Sequence, residues 1–257
     1  PMVYPGCSRK GTFIPQWSMW YVLELYEYAN KRENVDLSKY KTLVYDLLGW
    51  FKNYENEYGL LEKMPGWNFI EWSKANEWVQ DVNYPTNMLY SKMLERAGML
   101  FNDDNLKEKS RKIKETVINQ SFDGKLFHDH AVRNEKGELE VKEDVSETCQ
   151  YYAYFFEAAD ESEKFSYLKN MVLNVFGPDN KEGEERKNVA PANAFIGNYL
   201  RLMILLKMKN FDKVISNVKG YFSNMAATTG TLWEHDDIKR GSLNHGFASY
   251  AAVLICY

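Results

Sequence analysis

Two kinds of helical segment alternate along this chain, and that alternation constrains its fold more than any other feature. Residues 14–31 carry Trp17, Met19, Trp20, Tyr21, Val22, Leu23, Leu25 and Tyr26 and leave almost no polar face, the pattern of a helix buried on all sides. Residues 37–55 instead place Tyr40, Leu43, Val44, Leu47, Leu48, Phe51 and Tyr54 at i, i+3, i+4, i+7 spacing with charges opposite, which predicts a helix packed on one face. The contrast recurs. Residues 85–101 are largely apolar, with Pro85 suited to a first helical turn, and 105–120 are one-sided. Residues 145–159 are dense in Tyr and Phe, and 161–176 are one-sided behind Asp160 as an N-cap. Residues 191–208 and 211–225 repeat the pair, and 242–257 read as one more buried helix opening at Ser242. Inner helix followed by outer helix is the signature of an all-α toroid of helical hairpins. The periodicity yields about nine helices, about three fewer than a closed ring of six hairpins holds.

Nothing divides the 257 residues: no linker, Pro/Gly-rich stretch or low-complexity tract interrupts them, so residues 1–257 read as one domain or one large piece of one. The 32 basic and 36 acidic residues are interspersed, so no basic field exists to attract phosphate backbones, and nucleic acid is not an expected partner. No run of about 18 apolar residues is present, so no membrane span is expected. No charged segment followed by an apolar one opens the chain as a signal peptide would. The start at Pro1, in what reads as a loop, points to an upstream segment, with which a signal would have been lost. Cys7, Cys149 and Cys256 are far apart and odd in number, which fits packing residues or free thiols better than a zinc or redox pair. No cofactor and no metal are expected, because no His/Cys/Asp/Glu set shows ligand spacing.

The compositional outlier is aromatic content, 15% with seven Trp and eighteen Tyr. Flat aromatic faces with polar tips suit a carbohydrate site, and they equally fill a helical core. Four long loops, at 59–81, 122–144, 177–190 and 226–242, each precede a buried helix and would gather on one face of the ring, where loops of this length are usually functional. Strand signals are confined to a small hairpin, 125–130 against 138–141 about a turn at 134–137.

The last long loop contains Thr231-Leu-Trp-Glu234 and is followed by Ser242-Leu-Asn-His-Gly246. This pair resembles the C-terminal catalytic motifs of bacterial α-L-rhamnosidases, in which a Trp-Glu loop precedes a Ser-x-x-His-Gly helix start. Phe13-Ile-Pro-Gln-Trp-Ser-Met-Trp-Tyr-Val22 resembles the family's Ile-Pro-x-x-Ser-x-Trp opening, Trp67-Asn-Phe-Ile-Glu-Trp72 its Trp-x-Phe-Ile-Asp-Trp loop, and Phe122-Asp-Gly-Lys-Leu-Phe-His-Asp129 its segment ending in Leu-Phe-x-Asp. The matches keep the family's order and span nearly the whole chain.

The resemblance implies an (α/α)6 barrel, here incomplete at its N-terminal side, that hydrolyses terminal rhamnose from a glycoside or polysaccharide with inversion. Inversion uses a general acid and a carboxylate base about 6.5–9.5 Å apart. Glu234 stands at the family's base position, with Asp236 and Asp237 as second choices. His245 resembles a substrate-contacting histidine, or else serves as a structural cap. Trp67, Trp72 and Trp233 would supply apolar walls for the sugar, or core packing. Glu71, where the family usually carries Asp, would reach sugar hydroxyls from a carboxylate displaced by roughly 1–1.5 Å, about one C–C bond. Asp81 and Asp129 are further loop acids without an assigned place. The family's general acid comes from an acidic, arginine-containing motif before the opening segment, and residues 1–11 contain none; Tyr4, Pro5 and Ser8 fit the loop that precedes that segment. The acid and the first hairpins are therefore expected from upstream domains of the same protein. Two other readings remain: another six-hairpin carbohydrate enzyme, such as an unsaturated glucuronyl hydrolase or a polysaccharide lyase, and a helical repeat scaffold that binds protein.

Overall fold

The computed structural model describes residues 13–180 and 183–255. Helices α1 (Pro15–Asn30), α3 (Tyr84–Phe101), α5 (Glu147–Phe155), α7 (Ile196–Lys207) and α9 (Tyr250–Ile255) follow one another as an inner row, each packed on the next. Between them run α2 (Ser38–Lys52), α4 (Asp104–Ser121), α6 (Ser166–Asn170) and α8 (Phe211–Thr229); α2 and α4 lie against α3, and α8 lies against α7 and α9. The alternation of segment types is thus the alternation of inner and outer helices. The row is an arc, and no closed barrel forms among the described residues.

The helices within the arc are the best enclosed. Every residue of α3 from Tyr84 to Leu94 is buried, because α1, α5, α2 and α4 surround it. At the arc's end α1 departs from the burial on all sides that its sequence predicts. It buries Pro15, Gln16, Ser18, Met19, Val22 and Leu25, whereas Trp17, Trp20, Tyr21 and Leu23 stay half-buried along a cavity of about 1730 Å³ shared with α5 and α7. These side chains face across the row, with Trp20 against Phe156 (5.4 Å) and Tyr199 (6.5 Å).

The inner helices take their starts from side chains in the loops before them. Asn83 Oδ1 accepts the Thr86 N–H at α3 (2.9 Å), with Pro85 in the first turn, and Ser146 Oγ accepts the Cys149 N–H at α5 (2.9 Å). The final helix begins later than its sequence predicts. His245, not Ser242, caps a 3-10 turn (Gly246–Ser249) that leads into α9, through Nδ1 accepting the Phe247 N–H (3.2 Å). Similarly, Asp160 caps only the turn at Ser162 (2.9 Å), and the expected continuous helix over 161–176 breaks into a 3-10 turn, α6 and a π turn (Met171–Val175). The carbonyls of Val172 and Leu173 accept from the Arg201 guanidinium and the Lys213 ammonium, and those bonds compete with the α-helical ladder.

The small hairpin forms about the expected turn, but its first strand is β2 (His130–Arg133), not 125–130; it pairs with β3 (Leu139–Val141) through Ala131↔Val141 and Arg133↔Leu139. Asp123 Oδ1 accepts the Lys125 and Leu126 N–H groups beside Gly124 at φ +97°, and that tight turn uses the residues the strand would need. Strand β1 (Val82–Asn83) extends this sheet, and β4 (Val145–Ser146) pairs in parallel with β5 (Val189–Ala190). Cys149 is a free, buried thiol; Cys7, Cys256, and the loop residues Tyr4, Pro5 and Ser8 lie outside the described residues.

Asp129 braces the start of α5. Fully buried, it accepts the Ser146 N–H (2.6 Å) and hydroxyl (2.7 Å), and burial pushes its carboxyl up to about 8 against those two hydrogen bonds. An unfolded aspartate titrates near about 3.9. The fold therefore holds a proton that the unfolded chain has released, and this group's contribution to stability is complete below about pH 4 and is lost as pH rises towards about 8. Urea denaturation of the wild type and of Asp129→Asn from about pH 4.5 to about 8.5 is expected to show the Asn form gaining on the wild type as pH rises. A pH-independent difference would show that Asp129 is ionised throughout.

Candidate active site

Loops meet over the starts of α3, α5 and α7 and enclose a cleft of about 1450 Å³ whose walls include Trp72, Trp78, Tyr167, Asn193, Asp236 and Gly241. One wall is the tip of a loop that doubles back on itself. Helix α8 stops at Thr229, where Gly230 adopts φ +73°, and the chain returns on itself: the Glu234 N–H donates to the Ser242 carbonyl (2.9 Å) and the His245 N–H to the Leu232 carbonyl (2.9 Å). The Trp-Glu and Ser-Leu-Asn-His-Gly segments are therefore one zipped element. Gly241 turns it at φ +66°, and a Cβ there would sit 3.1 Å from Glu234 Oε2.

Both oxygens of Glu234 are held. Oε1 accepts the Trp72 indole N–H (3.1 Å) from a loop 162 residues earlier, and Oε2 accepts the Ser242 N–H (3.0 Å). A carboxylate offers about four acceptor positions, so these bonds orient Glu234 and leave capacity for a water. The Trp72 ring is fixed in turn by Phe69 (centroids 4.8 Å) and by the half-buried Trp67 (5.5 Å). Among the motif-derived residues, the structure brings Trp67, Trp72 and Glu234 into one chain of contacts. His245 stands at the base of the same tip with its ring edge-on to Phe195 (5.1 Å); because Nδ1 accepts a backbone N–H, the neutral ring carries its proton on Nε2.

Glu71 and Trp233 take other positions. Glu71 is fully buried beneath the cleft: Oε1 accepts the N–H groups of Trp72 (2.8 Å) and Ile196 (3.3 Å), and Oε2 accepts that of Gly197. Burial pushes its carboxyl up to about 8, opposed by those three N–H donors and reinforced by the charge of Asp236. Trp233, 2% exposed, belongs to the α7–α8–α9 core and donates its indole N–H to Thr229 Oγ1 (2.7 Å). The other loop acids are occupied locally: Asp237 Oδ1 accepts the Lys239 N–H (2.9 Å) and Asp81 Oδ2 the Arg133 N–H (2.7 Å).

Sequence reasoning missed Asn193 and Glu147. Asn193 bonds to Asp236 through both ends of its amide, Oδ1 accepting the Asp236 N–H (3.0 Å) and Nδ2 donating to Asp236 Oδ1 (2.9 Å); Nδ2 also lies 3.1 Å from His235 Nε2. The buried Glu147 accepts the N–H groups of Gly177 (2.8 Å) and Ala192 (2.8 Å) and bonds the Arg186 guanidinium (2.8 Å), pinning both ends of the loop before α7. Neither residue lies in a recognisable motif; the one cue is an Asn shortly before a buried helix. Among the described residues no group of three His, Cys, Asp or Glu side chains is placed to hold a metal ion, and no helix is long and apolar enough to cross a membrane.

No family model and no curated protein matches the chain. Solved structures do. A GH78-family rhamnosidase of Bacillus sp. GL1 superposes with a TM-score of 0.75 at 17% identity, over 95% of this chain and 26% of that one. A rhamnosidase from Klebsiella oxytoca, solved with rhamnose bound, superposes with a TM-score of 0.70 at 16% identity, over 95% of this chain and 47% of that one. The chain has the fold of the helical domain of these enzymes and spans less than half of each.

Gly241 is expected to resist substitution. Gly241→Ala places a side chain at positive φ, which costs about 1–2 kcal/mol, and sets its Cβ against Glu234. Thermal or urea denaturation should register that loss; a variant as stable as the wild type would mean the tip can re-form around a side chain.

Proposed function

We propose that this chain forms part of the catalytic domain of an inverting glycoside hydrolase that removes terminal α-L-rhamnose. The observation that carries the reading is the Glu234 carboxylate, half-buried at the loop face and held by the Trp72 indole and the Ser242 amide, which joins two motif segments distant in sequence. Motif order supports the same reading, as does the likeness to two rhamnosidases.

In this mechanism Glu234 is the general base. It takes a proton from a water that attacks the anomeric carbon on the face opposite the leaving oxygen, while a carboxylic acid gives its proton to that oxygen. The acid is supplied by a part of the polypeptide outside the described residues. Trp72 and Ser242 keep the oxygens of Glu234 aimed during the attack. The faces of Trp72 and Trp67 pack against the ring and methyl group of the deoxy sugar, and the Nε2–H of His245 donates to a sugar hydroxyl. Glu71 acts from below, through the backbone of Trp72.

Release of p-nitrophenol from p-nitrophenyl α-L-rhamnopyranoside tests the reading, with the polypeptide that carries this chain and with Glu234→Gln. The Gln form is expected to lose about 10²- to 10⁴-fold in kcat, the range for removal of a general base. NMR of the fresh product should show β-L-rhamnose first. Full activity in Glu234→Gln would end its role as base, an α-anomer would end inversion, and turnover of a different sugar alone would remove rhamnose.

A further inference from the structure

The bond between Trp72 and Glu234 links two loops. Both are tied to the same place, the first turn of α7 and the residues just before it. On the Trp72 side, one oxygen of Glu71 accepts the N–H groups of both Trp72 (2.8 Å) and Ile196 (3.3 Å), and the other accepts that of Gly197. On the Glu234 side, Asn193 bonds the backbone and side chain of Asp236, two residues beyond Glu234 (3.0 and 2.9 Å), while Asn193 Oδ1 also accepts the Ala194 N–H (2.6 Å). Gly197 completes the arrangement: a Cβ there would lie 2.5 Å from Ala192 Cβ and 2.7 Å from Glu71 Oε2, so only glycine leaves the Glu71 carboxylate its place.

We infer that the start of α7, residues 193–197, is a positioning device that sets the Trp72–Glu234 hydrogen bond, with Glu71 and Asn193 as its positioning residues. A helix start suits this task, because its first N–H groups have no partner within the helix and hold an acceptor rigidly. It also accounts for a glutamate at position 71, since the side chain that accepts the Trp72 N–H must also extend to the α7 amides. Misplacing a reacting group by about 1 Å can lower a rate about 100-fold, so a registering element of this kind acts on turnover more than on binding. The kinetic consequence rests on the rhamnosidase reading; the structural one does not.

Two readouts separate them. The Trp72 indole N–H resonance, assigned by its absence in Trp72→Phe and by its displacement in Glu234→Gln, reports the hydrogen bond directly. It is expected to move in Glu71→Gln, in Gly197→Ala and in Asn193→Ala. In kinetics on p-nitrophenyl α-L-rhamnopyranoside, each of the three variants is expected to lose about 10- to 100-fold in kcat with KM changed by less than about 3-fold. The losses in kcat from Glu71→Gln and Trp72→Phe should be sub-additive in the double variant, because both act through one bond. An indole resonance unmoved in folded Glu71→Gln and Asn193→Ala overturns the device, and so do fully additive losses or a change confined to KM. A moved resonance in a protein that does not cleave rhamnosides supports the device and removes the enzymatic reading alone.

Discussion

A helix buried at its start has N–H groups that neither water nor the helix itself can satisfy, and the architecture of this protein follows from that requirement. The inner helices begin on the same face, and loop side chains supply the missing acceptors: Asn83 for α3, Ser146 braced by Asp129 for α5, Glu71 for α7 and His245 for the turn into α9. Each long loop is therefore tethered where an inner helix starts. The cleft lies among these tethers, so helix capping and site construction are one set of interactions. This explains why polar residues near the cleft, such as Asn83, Asp129 and Glu147, are buried and bonded to backbone instead of projecting into the opening.

Two glutamates show how environment divides the roles of one side chain. Glu71 and Glu234 flank the same tryptophan, one through its backbone amide and one through its indole. Glu71 has lost water entirely, and its oxygens are taken by three backbone N–H groups, so it serves as a fixed strut. Glu234 accepts two N–H groups and stays half-buried, which leaves a carboxylate that is aimed yet accessible. The proposed role as base needs that combination: a fully enclosed carboxylate cannot meet a water, and an unrestrained one is seldom aligned with it.

The long-range periodicities were legible in the sequence because burial imposes them. The separation into all-apolar and one-sided segments anticipated inner and outer helices from α1 to α8, and the pairing of Trp-Glu with Ser-Leu-Asn-His-Gly marked out what proves to be a single zipped tip. Features set by tertiary contacts were not legible. The break at 163–175 depends on Arg201 and Lys213 reaching carbonyls from other helices, and β4 and β5 are two-residue strands with no periodic signal. Trp233 and Trp72 look alike in sequence as motif aromatics, yet one fills a core and the other lines the cleft. Direction decides between them, and a motif does not encode direction.

Size alone would select the other cavity. The opening along α1, α5 and α7 is the larger, about 1730 Å³ against about 1450 Å³. Its walls are helix flanks carrying Trp20, Tyr21, Phe155 and Tyr199, packed partly against one another, with Trp20 on Phe156 at 5.4 Å. Among its charged members, Lys92 and Glu157 bond to each other at 2.7 Å. Fully burying one such aromatic is worth roughly 1.5–3 kcal/mol, so half-exposed rings there represent unrealised packing energy. The loop-face cleft is bordered instead by Trp72, Asn193, Asp236 and Gly241, each of which touches Glu234 or the tip that carries it. The proposed reaction needs oriented carboxyl groups at a concave, partly polar surface, and on that criterion the smaller cavity, whose rim residues Trp72 and Gly241 contact Glu234, is the candidate site.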